Sequence, residues 1–178
     1  MSTSVMRFVS LALGLALGGL FVYTGVQKYL APYEFTEAIQ IYQLLPSVLV
    51  GLTAAVFPWL ELITGSFLIV GYLIKAEGHF ARGFGRPGAM AGDGGLTRRS
   101  CLLLIMLQLG LFILVLLITM ARGLKIDCGC GLFTDRQVGP GAILEDTLLL
   151  GMAGWLYWWE GKAGARKEGL LSPVQSRR

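Results

Sequence analysis

Two cysteines separated by one residue, Cys128-Gly129-Cys130, are the best-placed groups for covalent chemistry in this 178-residue chain. Cysteines so close can close only a small ring, so a disulfide between them should be strained and comparatively easy to reduce. Gly129 has no Cβ and permits the tight backbone such a ring requires. The pair serves either thiol–disulfide exchange or the pinning of a loop, and the residues alone leave both readings open. No metal site is expected. Zinc needs four ligands, and the remaining candidates, Cys101 and the single histidine His79, belong to the other side of the predicted topology.

A second group consists of ionisable residues in or at the ends of apolar runs: Lys28, Glu61 and Asp146. A carboxylate in hydrocarbon is costly unless paired, so such residues mark partners or function. Glu61 lies 14 residues before Lys75, which at the α-helical rise is about 21 Å above the inner interface. Asp146 lies 14 residues before Glu160 and reaches the same depth. Lys28 closes the first apolar run near the outer interface and can turn its head inward. The three are expected to converge inside a bundle, directly beneath the cysteine pair. A purely structural ion pair is the competing reading.

These residues need helices to position them, and the composition supplies helices of a particular kind. The chain is 54% hydrophobic and 15% charged, against about 25% charged in soluble domains. That excludes a disordered chain, a nucleic-acid-binding domain and a soluble enzyme with one core. The net charge of +4 belongs to the loops, so no nucleic-acid partner is expected. Four runs are long enough to span a bilayer, at about 7–28, 47–74, 101–121 and 141–160. None alternates with period two, so the fold class is all-α, an integral membrane four-helix bundle over 5–160 with the bilayer as its first partner. The first run is too long for a signal-peptide core and lacks an A-x-A site. Ser10, Gly14 and Gly18 form a small-residue stripe on it, suited to close helix packing.

Cations set the orientation. Lys75, Arg82, Arg86, Arg98 and Arg99 lie between the second and third runs, and Lys162, Arg166, Lys167, Arg177 and Arg178 follow the fourth. The other two connections hold only Lys28, Arg122, Lys125 and Arg136. Both termini, the glycine-rich loop 76–99 and the basic tail 161–178 are therefore expected in the cytoplasm, with Cys128 and Cys130 facing an oxidising compartment where a disulfide persists. Gly83-Phe84-Gly85-Arg86-Pro87-Gly88 matches G-x-G-x-x-G, but it follows a membrane helix instead of a strand and reads as a linker. Between Pro32 and Pro46, Phe35, Ile39 and Tyr42 recur at helical spacing opposite Glu34, Glu37 and Gln40. That pattern predicts a short amphipathic helix in the outer interface.

The combined motifs resemble a known family. Gly25-Val26-Gln27-Lys28, Ala31-Pro32, Tyr42-Gln43-Leu44-Leu45-Pro46 and Pro58-Trp59-Leu60-Glu61 are similar to DoxX-like membrane proteins. Arg122-Gly123-Leu124 followed by Cys128-Gly129-Cys130 resembles the MauE branch, named for methylamine utilisation. The resemblance covers about 7–75 and 101–160. It implies a membrane four-helix bundle acting beside a thioredoxin-like periplasmic partner in the maturation of a client enzyme, methylamine dehydrogenase, in a bacterial inner membrane. Three functions stand side by side. In the first, Cys128 and Cys130 relay electrons between a membrane donor, of which a quinone is the candidate, and a partner thiol. In the second, the chain is a structural anchor subunit. In the third, it is a small-molecule carrier, which four helices without an inverted repeat support least.

Overall fold

The computed structural model describes residues 3–83, 94–123 and 139–175, with side chains described over 5–74, 97–123 and 139–162. Within these limits the chain is five helices: α1 (Thr3–Leu30), α2 (Pro32–Tyr42), α3 (Ser47–Gly83), α4 (Gly94–Ala121) and α5 (Pro140–Gln175). Among the described residues there is no strand. Three boundaries differ from the sequence expectation. Helix covers 76–83 and 94–99, where a loop was expected, and it continues past residue 160 to Gln175. These extensions hold seven glycines and Pro173, so intrinsic propensity does not account for them.

Among the described residues three stretches are long and apolar enough to cross a bilayer: Val5–Leu30, Ser47–Ile74 and Thr97–Ala121. The expected fourth span, in α5, is not among them. Glu145 and Asp146 in its first turns, and Trp155, Tyr157, Trp158 and Trp159 towards Glu160, lower its apolarity. The core nevertheless draws on all four long helices, with Leu17 and Phe21 from α1, Leu68 and Tyr72 from α3, Leu102 and Ile105 from α4, and Ala153 and Leu156 from α5. Cys101 lies buried in the same core.

The outward surface is as apolar as the interior. Phe8 is 72% exposed and Leu107 70%, and Leu52, Leu144 and Leu148 also project outward. In water such a surface would aggregate, whereas in hydrocarbon it costs nothing. Serine and threonine hydroxyls on the spans bond locally: those of Ser10, Thr64 and Thr119 donate to Arg7, Leu60 and Val115 carbonyls on their own helices.

With no hydrophobic force between helices in lipid, close backbone approach holds α1 against α3. A Cβ on Gly65 would lie 2.7 Å from the Gly18 carbonyl oxygen, and one on Gly18 would lie 3.0 Å from that of Gly65. A Cβ on Gly14 would overlap the Tyr72 ring. The stripe legible in the sequence is thus the face that α1 turns to α3.

Candidate functional site

The C-terminal end of α1, the middle of α3 and the first turns of α5 bring charge into the bundle. Lys28 is 4% exposed, Glu61 3% and Asp146 5%. Lys28 stands in the last turn of α1, where a cation complements the carbonyl end of the helix. Its Nζ donates to Glu61 Oε1 at 2.5 Å, and Asp146 is near enough to act on the ammonium electrostatically. Three rings enclose the ammonium, with centroids at 5.4 Å for Phe35, 5.5 Å for Phe57 and 4.9 Å for Phe112. Phe57 and Phe112 meet edge to face. The ammonium is thus held by one carboxylate and by ring faces whose quadrupoles attract cations.

A cavity of about 30 Å³ opens beside this group, lined by Thr24, Lys28, Glu61 and Asp146 on its polar side and Phe21, Leu109 and Phe112 on its apolar side. Its size and polarity suit one or two water molecules. Glu61 Oε2, buried and without a hydrogen bond among the described residues, gives that water an acceptor. Such an arrangement can hold a proton, or pass one, between an ammonium and two carboxylates.

Helix α2 lies across the site. Pro32 occupies its first turn, and Gln43 ends it in the left-handed conformation, with its N–H on the Gln40 carbonyl. Its inward face contributes Phe35 and Tyr42, both buried. Burial, reinforced by the negative charge of Asp146, pushes the Tyr42 phenol up to about 12. From the end of α4, Arg122 Nη1 donates to the Tyr42 carbonyl at 2.9 Å and ties the helix down. In the sequence Arg122 entered only as part of a motif. In the structure it is the clamp on α2.

Of the five residues singled out by sequence, Lys28 and Glu61 meet and Asp146 joins them around the cavity. Cys128 and Cys130 lie outside the described residues. Among the described residues no cluster of His, Cys, Asp and Glu could hold a metal ion. Sequence reasoning missed a second buried ion pair, in which the Arg98 guanidinium reaches Glu160 Oε2 at 3.1 Å and the Gly71 carbonyl at 3.1 Å. Arg98 had counted only as a loop cation. Glu160, at the end of an aromatic-rich helix, was the available signal.

The family model for the methylamine utilisation protein MauE matches residues 6–159. No curated protein and no solved structure matches the chain.

Proposed function

The chain belongs to the MauE family of methylamine utilisation proteins, a family of membrane accessory proteins, and on that premise we propose that it is a redox accessory of the thiol–disulfide type. In this reading Cys128 and Cys130 are the exchanging pair, and Lys28, Glu61 and Asp146 are a buried polar site beneath them. The observation that carries the reading is the extent of the match. Residues 6–159 enclose both the pair and the buried cluster, so both fall within the span that the family model matches. Chain connectivity supports it: the segment with both cysteines joins the end of α4, where Arg122 holds α2, to the first turns of α5, where Asp146 stands.

The exchange balances as follows. A thiolate of a thioredoxin-like periplasmic partner attacks one sulfur of the Cys128–Cys130 disulfide, that S–S bond breaks, and a mixed disulfide forms. The partner's second thiolate then displaces the cysteine, leaving the partner oxidised and both cysteines reduced. Two electrons and two protons must leave the cysteines to close the cycle, and a membrane quinone is the candidate acceptor class. The reverse direction uses the same bonds. The client is a disulfide-bearing periplasmic enzyme such as methylamine dehydrogenase.

The architecture that serves this role is a four-helix membrane bundle, with α5 as fourth span and α2 in the outer interface. Leu144, Leu148 and Trp158 on the outside of α5 suit lipid, and its buried acids face inward. Both termini are placed in the cytoplasm of a bacterial inner-membrane protein, because the cations gather on that side. A membrane-impermeant thiol reagent, applied to intact cells after mild reduction, should label Cys128 and Cys130 and spare Cys101. The functional test replaces both cysteines by serine and measures the yield of active, correctly bridged client. Lost maturation supports the relay. Normal maturation transfers the role to the competing reading, an anchoring subunit.

A further inference from the structure

Eleven residues beyond Asp146 along α5, about 16 Å of helix away from the Lys28 cluster, a different kind of site opens between α4 and α5. Arg99 of α4 lies with its guanidinium carbon 4.7 Å from the Tyr157 ring centroid, and its Nη2 donates to the Tyr157 hydroxyl at 3.2 Å. The Arg99 head is therefore fixed. Its Nε is buried and has no acceptor among the described residues. One turn on, Lys162 Nζ rests 3.7 Å above the Trp158 ring centroid. Between them Gly161 leaves the space open: a Cβ there would lie 3.5 Å from Arg99 Nη2. The space forms a shallow groove of about 300 Å³, open on its outer side.

No carboxylate lines this cavity among the described residues. The neighbouring Glu160 is committed to Arg98 and points into the bundle. Two cations on one groove, with no carboxylate among its described lining residues, define a receptor for a singly or doubly charged anion. Trp158 is exposed beside it, and Trp155 stacks on Trp159 along the same helix. Such aromatic groups settle at the depth of lipid headgroups, where basic pockets between membrane helices take phosphate. We propose that Arg99, Tyr157, Trp158 and Lys162 form a binding site for the phosphate group of an anionic phospholipid. The outer edge of the Arg99 guanidinium and Lys162 Nζ contact the phosphate oxygens, Trp158 packs on the glycerol, and the acyl chains lie along the apolar outer faces of α4 and α5. The site is independent of the thiol–disulfide reading.

The test uses the full chain, extracted from mixed vesicles of phosphatidylcholine and phosphatidylglycerol, with co-purifying lipid counted by native mass spectrometry. Phosphatidylglycerol should be enriched on the protein over its share of the vesicle. Each cation near an anionic headgroup is worth about fivefold in affinity. Lys162→Gln, which removes only a contact to an exposed ring, should therefore lower the enrichment about fivefold, and Arg99→Gln with Lys162→Gln about thirtyfold. Arg7→Gln, the same charge change at an exposed position on α1, should leave it unchanged. Absence of enrichment, or enrichment indifferent to Lys162→Gln, overturns the proposal. Displacement of the bound lipid by inorganic phosphate at equal concentration also overturns it, assigning the site to a free anion.

Discussion

The Lys28–Glu61 contact makes the sharpest energetic prediction. Both side chains are almost wholly enclosed and 2.5 Å apart, so a partner left alone has only the small cavity beside it for solvation. Removing one member of a buried pair costs about 3–5 kcal/mol, because a charge remains uncompensated. For Lys28→Met the value should fall near the upper end, since Glu61 and Asp146 then face each other across the cavity without the ammonium between them. For Glu61→Leu it should fall near the lower end, about 3 kcal/mol, because Asp146 and three ring faces still stabilise the cation. Replacing both by apolar side chains of similar volume should cost only about 1–2 kcal/mol, the residue being the lost attraction of Asp146 for Lys28. A double-mutant cycle should thus return a coupling of about 6–7 kcal/mol in favour of the pair. Reversible unfolding in mixed micelles, followed by far-ultraviolet circular dichroism for wild type, both single variants and the double variant, measures it. Additive losses would mean that the two residues do not interact, and the converging-charge account of the site would fail.

Three further outcomes follow from the packing. Gly65→Val should destabilise the α1–α3 contact by about 1–3 kcal/mol, since its Cβ meets the Gly18 carbonyl, whereas Gly19→Ala, with open space at its Cβ, should be neutral or slightly stabilising in the same assay. Arg122→Gln removes the donor to the Tyr42 carbonyl and should raise amide hydrogen exchange over 32–42 by about tenfold or more, leaving the α1–α3 exchange pattern unchanged. Tyr42 carries a pH signature: burial favours the neutral phenol, so its stabilisation is complete below pH 10.0 and is lost as pH rises towards about 12. Tyr42→Phe should remove that alkaline loss from a stability-versus-pH curve measured over the same window.

Much of this arrangement was legible because hydrocarbon leaves few alternatives. A glutamate in the middle of an apolar run must find a partner, and equal distances from the inner interface brought Glu61 and Asp146 to one depth. Pro32 and the Phe35–Tyr42 spacing delimited α2 for a similar reason, since proline starts a helix well and the apolar face needs a core. Arg98 was not legible as a buried residue. Counting cations ranks loops by charge but is blind to a helix that begins several residues early, and α4 starting at Gly94 carries Arg98 onto its inward face beside Gly71. The extension of α5 escaped notice because apolarity was the criterion, and residues beyond Glu160 form helix without any apolar run, in spite of three glycines and Pro173. Helix α5 is the least apolar of the four long helices, since the acids within it, Asp146 of the site included, dilute its apolarity.

The account's central claim is that the Cys128–Cys130 pair exchanges disulfides with a partner, and a trapped intermediate tests it most directly. Because exchange passes through a mixed disulfide, removing the resolving cysteine should arrest it there. In membranes quenched with acid and alkylated, Cys130→Ser, or Cys128→Ser if the attacked sulfur is the other one, should give a higher-mass adduct on non-reducing gels. The account predicts that reductant dissolves this adduct and that it contains a thioredoxin-like protein. If neither single variant yields an adduct while the partner is present and the protein is folded, the cysteines do not exchange, and the redox-accessory reading is contradicted.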